Sequence, residues 1–176
     1  MRPYRTHPLL ADEIQVILDG YFSAGSIRHS TSPWASPLVV VREENGKIRL
    51  TANYQRSNAV TKLTRLPLPR IDEIIDSLGG GKVFSNFDMQ SGYHQLVIDP
   101  NSIELTAFCT PSGLYEWLVT PQGAAGAPGA FQRVMIRVTD GLPKCHMYLD
   151  DAVCHDSTPA EHVEQLASFF NRFEQH

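Results

Sequence analysis

Tyr148-Leu149-Asp150-Asp151 is the stretch that decides the fold, because it places two adjacent carboxylates between apolar, β-prone residues. Such residues occupy 146–148 before the acids and 152–154 after them. This pattern predicts two strands joined by a two-residue Asp150-Asp151 turn, with both carboxylates at the tip of a hairpin. Adjacent carboxylates at a half-buried tip repel one another and resist desolvation, so they are unfavourable without a cation.

A third carboxylate, Asp88, ends another β-like run at 82–87. If the two strand systems pair, the three carboxylates converge into an oxygen-rich site of the kind that Mg²⁺ prefers. Such a site serves phosphoryl transfer. The alternative is that Asp88 caps a strand end and that Asp150-Asp151 are ordinary turn residues, because aspartate is common in turns.

Length and composition are typical of one globular domain. The chain has 176 residues, of which 42% are hydrophobic and 19% are charged. No apolar run is long enough to predict a membrane span, and the first five residues do not resemble a signal peptide. Cys109, Cys145 and Cys154 show no framework spacing, which favours a reducing compartment.

The formal net charge of −4 disfavours a nucleic-acid partner, but the charges are unevenly distributed. Residues 47–82 hold seven basic and three acidic residues, whereas 146–176 hold six acidic residues and one arginine. A basic stretch opposed by an acidic, metal-seeking stretch is compatible with a polymerase. An accidental asymmetry is the alternative.

Periodicity and turn residues predict alternating helices and strands. In the first half they predict a helix over 9–22, an irregular connection over 30–37, and a hairpin with strands 38–41 and 47–50 around Asn45-Gly46. Pro67 and Pro69 precede a predicted short helix, whose core face is Ile71, Ile74, Ile75 and Leu78.

In the second half the same signals predict strands over 82–88, 94–98, 103–110 and 114–119, and a helix over 128–139. Thr158-Pro159-Ala160-Glu161 is a capping box that predicts the start of a final helix with Val163, Leu166, Phe170 and Phe173 on its core face. His94 and His162 are interpreted as structural. A zinc site formed by Cys145, His146, Cys154 and His155 is disfavoured, because alternating strand geometry does not put all four on one face.

Seven ordered segments resemble the fingers and palm of the reverse transcriptase of gypsy-type LTR retrotransposons. The resemblance covers nearly the full chain. The segments are Ser32-Pro33-Trp34-Ala35-Ser36-Pro37, Leu66-Pro67-Leu68-Pro69-Arg70-Ile71-Asp72, Phe87-Asp88-Met89-Gln90-Ser91-Gly92-Tyr93-His94-Gln95, Thr106-Ala107-Phe108, Gly113-Leu114-Tyr115-Glu116, Ala127-Pro128 with Phe131-Gln132, and Tyr148-Leu149-Asp150-Asp151.

The resemblance implies an α+β fold, namely a right-hand polymerase palm, in which helices back an antiparallel sheet, with a fingers subdomain. We expect the N-terminal helix and fingers over 1–82 and mainly palm over 83–176, with part of the fingers recurring near 103–122. The implied activity is RNA-directed addition of deoxynucleotides to a primer 3′-hydroxyl. The implied partners are an RNA or DNA template with its primer, deoxynucleoside triphosphates (dNTPs) and no membrane.

For the metal, the resemblance implies two Mg²⁺ ions, which Mn²⁺ can replace. Asp88 and Asp150 would hold them together with the backbone of Met89, and Asp151 would support the site electrostatically as the third catalytic acid. An intracellular location, in a cytoplasmic virus-like particle or in the nucleus, is also implied.

For the nucleotide, the resemblance implies five residues. Backbone groups of Ser91 and Gly92 would approach the triphosphate, and Tyr93 would act as the aromatic gate that excludes a ribose 2′-hydroxyl. Arg49 would pair with the phosphates, and Gln122 would steady the nucleotide and template. The alternatives are that Tyr93 is core, Gln122 a loop residue and Arg49 a solvated strand charge.

The chain departs from the family pattern in the fingers. Arg42-Glu43-Glu44, Asn53, Gln55 and Leu105 stand where basic or acidic residues are usual, and the lost positive charge weakens phosphate binding. A catalytically dead remnant that at most binds nucleic acid is therefore the alternative function. No thumb or RNase H segment is recognised in the sequence, so we expect the isolated chain to be a fragment with weak activity.

Overall fold

The structure is a computed structural model, and it describes residue 4 and residues 8–63 and 68–175. Leu66-Pro67 of the sequence segment noted above lies outside the described residues. The chain forms two compact units, each of them discontinuous in sequence. The first comprises the described residues of Met1–Leu63 and Tyr93–Ala127, and the second those of Thr64–Gly92 and Pro128–His176.

A five-stranded sheet of order β1-β6-β5-β2-β3 forms the first unit, with helices α1 and α2. The β2–β3 hairpin confirms the Asn45-Gly46 turn, in which Lys47 N–H donates to Asn45 Oδ1 at 2.8 Å. Gly46 has φ +83°, which glycine adopts without strain. The elements are α1 (Pro8–Ser23), β1 (Ile27–His29), β2 (Ser36–Arg42), β3 (Ile48–Ala52), α2 (Gln55–Val60), β5 (Phe108–Thr110) and β6 (Gly113–Trp117).

The core of the first unit lies where α1 covers this sheet. Ile14 and Leu18 of α1 are buried in one cluster with strand residues that include Leu50 and Phe108. Two elements of this unit, β1 and α2, were not predicted. Strand β1 is only three residues long and is held by tertiary pairing with β6, where Arg28 bonds the buried Glu116 carboxylate at 2.7 Å.

An antiparallel sheet of order β4-β8-β7 forms the second unit, and helices α3, α4 and α5 accompany it. The predicted helix start is confirmed, because Glu161 N–H donates to Thr158 Oγ1 at the N-cap and Pro159 opens α5. The elements are α3 (Ile71–Ser77), β4 (Val83–Asp88), α4 (Ala127–Val138), β7 (Cys145–Tyr148), β8 (Asp151–Asp156) and α5 (Pro159–Glu174). No helix in the described part of the chain is both long and apolar enough to span a bilayer.

Two predicted strands of the first unit are wrong. Residues 94–98 contain the end of a 3₁₀ helix (Gly92–Gln95) and a single bridge from Val97 to Val119, because His94 stacks on Trp117 at 4.8 Å. Residues 103–106 end a second 3₁₀ helix, Pro100–Thr106. Its start is fixed by the Asp99 side chain, which accepts from Asn101 N–H at 2.8 Å, so only 108–110 forms a strand.

Two predicted core faces are also wrong. On α3, Ile71 and Ile75 are more than half exposed, so the periodic face of this helix is not core in the described structure. On α5, Val163 and Phe170 are exposed. The α5 residues that are buried are His162 and Phe169, together with half-buried Leu166 and Phe173, so the packed face is rotated from the predicted one. A buried histidine displaces the apolar stripe because it has polar partners.

The cysteines likewise differ from expectation. Cys145 and Cys154 are register partners in β7 and β8 and form a disulfide, whereas Cys109 is free and buried. The sequence spacing indicated no disulfide. Cross-strand pairing brings the two side chains onto one face, and that pairing depends on hairpin register rather than on any spacing rule.

A buried polar network joins α5 to the sheet of the second unit. Asp156, 2% exposed, accepts from Lys144 Nζ and pairs with His162 Nδ1, each at 2.9 Å. The other ring nitrogen of His162 bonds Ser85 Oγ at 2.8 Å. The structural interpretation of His162 is thus confirmed. Burial raises the pKa of Asp156, but the bonds from Lys144 and His162 outweigh it and hold the pKa below its ordinary value.

We expect Asp156→Ala to lower the free energy of unfolding by about 3 kcal/mol, because it leaves the buried His162 ring without its carboxylate partner. Chemical denaturation at pH 7 measures this. An acid whose pKa is lowered in the folded state stabilises the protein at pH values above its unfolded pKa. The difference in the free energy of unfolding between the parent and Asp156→Ala should therefore shrink below about pH 4. Asp72→Ala is the control, because Asp72 and its partner Arg70 are both more than 70% exposed. Equal effects of the two variants would contradict the network.

Candidate catalytic and metal site

The three predicted acids lie together at one end of the second sheet, with one correction to the turn. Strand β7 ends at Tyr148 and β8 begins at Asp151, and these two residues are paired. The two-residue turn is therefore Leu149-Asp150 and not Asp150-Asp151. Leu149 takes the positive φ of +53° that a tight hairpin turn requires at its first central position.

The pairing of β4 with β8 brings Asp88 to the acids of the turn. Asp88 is the register partner of Asp151, and both of their side chains are exposed. One residue further on, Met89 N–H donates to the Asp150 carbonyl at 2.9 Å. Asp88 lies 62 residues before Asp150 in sequence. Strand pairing nevertheless brings it to the same end of the sheet as Asp150 and Asp151, as the sequence predicts.

Asp150 is the acid with the most unusual surroundings. Its Oδ1 is buried and accepts no hydrogen bond within the described structure. Burial raises the pKa of the Asp150 carboxyl, and the nearby charges of Asp88 and Asp151 raise it further. A buried carboxylate oxygen without a donor is unfavourable, and a cation is one partner that relieves both the lost hydration and the repulsion.

The donors present fit a hard divalent cation, because carboxylate and carbonyl oxygens are the ligands that Mg²⁺ prefers. Asp88 and Asp150 offer carboxylates, and Met89 offers a backbone carbonyl. Among the described residues, however, no group of three or more His, Cys, Asp or Glu side chains is arranged to hold a metal ion. The acids interact electrostatically and do not form a closed coordination shell.

Gly92 lies against this site with no room for a side chain. A Cβ at this position would come within 2.9 Å of Asp150 Oδ1 and 2.8 Å of Phe131 Cζ. Gly92 N–H also donates to the Met89 carbonyl at 3.3 Å, and Ser91 has a positive φ of +53°. The segment from Met89 to Gly92 is therefore a tight backbone turn beside the acids, and packing against Phe131 and Asp150 excludes a side chain at 92.

One residue that contacts the turn was not identified from the sequence as functional. Gln132 of α4 is 1% exposed and bonds the backbone on both sides of Tyr148. Its Oε1 accepts from Leu149 N–H at 2.7 Å, and its Nε2 donates to the Met147 carbonyl at 3.0 Å. The available signal was the Phe131-Gln132 pair, which is part of one of the segments that resemble the family.

The remaining predicted nucleotide-binding residues belong to the first unit. Arg49 is exposed on β3. Burial raises the pKa of Tyr21, and the nearby charge of Arg49 lowers it by a smaller amount. Tyr93 is half-buried in the 3₁₀ helix and accepts from Leu96 N–H through its carbonyl. The Gln122 carbonyl accepts from Thr51 Oγ1 at 3.4 Å, which ties its loop to β3. Their roles toward a nucleotide stay predictions.

Comparison with known proteins identifies the family. Residues 41–176 match the family model described as reverse transcriptase (RNA-dependent DNA polymerase). The chain belongs to the reverse transcriptase family, whose members generally use divalent metals. The resemblance stated from the sequence is confirmed.

Curated relatives are similar over the whole chain. The retrovirus-related Pol polyprotein from transposon 297 of Drosophila melanogaster is 34% identical over 175 residues, which is 96% of this chain and 16% of that protein. The enzymatic polyprotein of cauliflower mosaic virus (strain Strasbourg) is 33% identical, covering 100% of this chain and 27% of that protein. The chain thus spans roughly a quarter or less of the relatives that it matches.

Solved structures agree with the predicted fold class. The native protease–reverse transcriptase of prototype foamy virus has a TM-score of 0.92 at 26% identity, covering 99% of this chain and 24% of that one. The foamy viral protease–reverse transcriptase in complex with RNA/DNA hybrid has a TM-score of 0.90 at 23% identity, covering 98% of this chain and 23% of that one. This second comparison shows similarity of fold alone. The α+β palm-and-fingers fold is confirmed.

Proposed function

We propose that this chain forms the catalytic core of an RNA-directed DNA polymerase, which adds dNTPs to a primer 3′-hydroxyl on a nucleic-acid template. The observation that carries this proposal is the convergence of Asp88, Asp150 and Asp151, where the buried Asp150 Oδ1 has no hydrogen-bond partner among the described residues. Membership of the reverse transcriptase family gives this acid cluster its reaction class.

In this proposal Asp88, Asp150 and the Met89 carbonyl hold a pair of divalent cations. Such a pair, when bound, makes the primer hydroxyl a better nucleophile and stabilises charge on the triphosphate and the leaving pyrophosphate. Asp151 adds negative charge beside these ligands. Mg²⁺ is the expected ion, and Mn²⁺ has the same preference for oxygen ligands.

Two groups of residues are proposed to bind the nucleotide. One is the backbone just after Asp88 in sequence, and the other is three residues of the first unit. Ser91 and Gly92 present their backbone to the triphosphate, in a turn that packs too closely on Asp150 and Phe131 to accept a side chain at 92. Arg49 pairs with phosphate oxygens through its planar guanidinium. Tyr93 selects against a ribose 2′-hydroxyl, and Gln122 steadies the nucleotide and template.

A primer–template is the proposed macromolecular partner. Support comes from the foamy viral proteins, which were solved in complex with double-stranded DNA and with an RNA/DNA hybrid. The described residues of 47–82 also contribute a local excess of basic residues that suits phosphate contacts. Intracellular action, in cytoplasmic particles or in the nucleus, stays a prediction.

Primer extension tests the proposal. The chain is joined to the thumb of a related reverse transcriptase and incubated with poly(rA)·oligo(dT), dTTP and Mg²⁺, in parallel with its Asp150→Asn variant. We expect extension by the parent protein only. The matched control is Asp72→Asn, which removes an exposed carboxylate elsewhere in the second unit and should leave extension unchanged.

The rival is a catalytically dead remnant that only binds nucleic acid. The features that favour it are the acidic and neutral residues Glu43, Gln55 and Leu105 in place of the charges usual in the family. If the folded fusion protein binds the primer–template but does not extend it with Mg²⁺ or Mn²⁺, the polymerase proposal is wrong and the remnant is favoured.

A further inference from the structure

The turn that carries Asp150 contains an unusual backbone conformation. Leu149 has a φ of +53°, in the left-handed region that a branched, non-glycine residue rarely adopts. Such a conformation persists only when surrounding contacts determine it. Gln132 supplies one such contact, because Leu149 N–H donates to Gln132 Oε1 at 2.7 Å.

Gln132 makes a second bond that locks the same turn. Its Nε2 donates to the carbonyl of Met147 at 3.0 Å, two residues before Leu149. A single planar amide therefore satisfies one acceptor and one donor of the turn backbone, and the amide geometry sets the spacing between them. Because Gln132 is 1% exposed, water cannot substitute easily for either bond.

The helix that presents Gln132 also places Phe131 close to the acid site. Phe131, its neighbour in α4, is fully buried, and a Cβ on Gly92 would fall 2.8 Å from Phe131 Cζ and 2.9 Å from Asp150 Oδ1. We propose that Gln132 is a positioning residue, whose buried amide holds Leu149 in its left-handed conformation and thereby aims the Asp150 carboxylate at the cation site. This proposal rests on the proposed function.

A residue that merely fills the core would behave differently. Loss of a core filler lowers the stability of the whole unit, whereas loss of a positioning amide loosens Leu149 and weakens cation binding beyond any change in global stability. The local readout is hydrogen exchange of the Leu149 amide, followed by NMR on the full 176-residue chain. The second readout is Mg²⁺ affinity, measured by isothermal titration calorimetry.

Gln132→Met removes both bonds at similar side-chain volume. We expect Leu149 exchange to accelerate about tenfold or more, because the bond that protects its N–H is lost, and Mg²⁺ binding to weaken about tenfold. Gln165→Met is the matched control, because Gln165 is a partly buried glutamine of α5 that bonds Cys145 Sγ rather than the turn. It should change neither readout.

Gln132→Glu is the conservative variant and also serves if Gln132→Met does not fold. A neutral carboxylic acid offers the same acceptor and donor as the amide, and burial favours its neutral form. We expect Leu149 protection near the parent value, after correction for intrinsic exchange, because both the neutral acid and the ionised carboxylate accept from Leu149 N–H.

Unchanged Leu149 exchange in Gln132→Met, or Leu149 protection lost in Gln132→Glu, would overturn the inference. Unchanged Mg²⁺ affinity in Gln132→Met, with Asp150→Asn losing binding, would also overturn it while the proposed function stands. If Asp150→Asn itself leaves Mg²⁺ binding intact, the proposed metal site is wrong. The Leu149 exchange then still decides whether Gln132 holds the turn.

Discussion

Replacing Asp150 with asparagine is expected to lower the rate of Mg²⁺-dependent primer extension by about a hundredfold or more. The same substitution should make the cation-free protein more stable. The stabilisation follows from the surroundings of Asp150, where burial first, and then the charges of Asp88 and Asp151, raise the pKa of its carboxyl. An asparagine of the same shape removes the charge that these surroundings disfavour.

The sign of the pH dependence follows from linkage. A carboxyl with a raised folded pKa binds more protons in the folded than in the unfolded protein between the two pKa values. Stability is therefore lost as the pH rises from the unfolded pKa, about 4, through the folded pKa. At pH 7 without metal, Asp150→Asn should melt a few degrees higher than the parent, and the two should converge in acid.

Differential scanning fluorimetry across pH, with and without Mg²⁺, measures both parts of this prediction. Added Mg²⁺ should raise the melting temperature of the parent chain and leave that of Asp150→Asn unchanged, because ligands stabilise only the state that binds them. A variant that is less stable than the parent at pH 7, or that responds equally to Mg²⁺, would contradict the account of the site.

Gly92→Ala is expected to have the second largest effect. Its Cβ would stand 2.8 Å from Phe131 Cζ and 2.9 Å from Asp150 Oδ1, distances that force something to move. Phe131 is fully buried and cannot turn away freely, so we expect a loss of about 1–3 kcal/mol in the free energy of unfolding. We also expect weaker Mg²⁺ binding, because the Asp150 carboxylate must shift.

Gly126→Ala is the matched control for this variant. No atom lies within 4 Å of the Cβ that it would add, and its φ is not in the left-handed region. We expect a change of no more than about 0.5 kcal/mol, which is usual for an open surface position. Urea denaturation and Mg²⁺ titration of both variants decide the matter. Equal behaviour of the two alanines would show that Gly92 is not packed against the site.

The acid cluster could be predicted from the sequence because its chemistry is local. Asp150 and Asp151 are adjacent, and apolar residues of strand type flank them, so a hairpin with acids at one end was the natural expectation. Asp88 followed from a strand that ends on a carboxylate. One further assumption was needed, namely that the strand ending at Asp88 pairs with the hairpin. In the structure β4 pairs with β8, and Asp88 is the partner of Asp151.

The detail of the turn could not be predicted in the same way. Sequence rules favour aspartate, asparagine or glycine at positions of positive φ, so Asp150-Asp151 was expected as the turn and Leu149 was not. The conformation of Leu149 depends on Gln132, which lies 17 residues away and contributes through buried hydrogen bonds. Periodicity contains no information about such a long-range polar contact.

Helix faces show the same limit. The apolar spacing on α3 correctly predicted a helix, but it could not state whether anything covers Ile71 and Ile75, which are exposed. On α5 the buried face includes His162, because Asp156 and Ser85 provide partners for both ring nitrogens. Hydropathy alone assigns a histidine to the surface, so the predicted stripe was displaced.

The central claim is that Asp88, Asp150 and the Met89 backbone bind a divalent cation. Titration of the chain with Mn²⁺, followed by paramagnetic broadening of backbone amide signals in NMR, tests it most directly. We predict that signals from 88–92 and 149–151 broaden first and that Asp150→Asn abolishes this selectivity. Broadening that begins instead at the exposed acids of α3, Asp72 and Glu73, would contradict the claim.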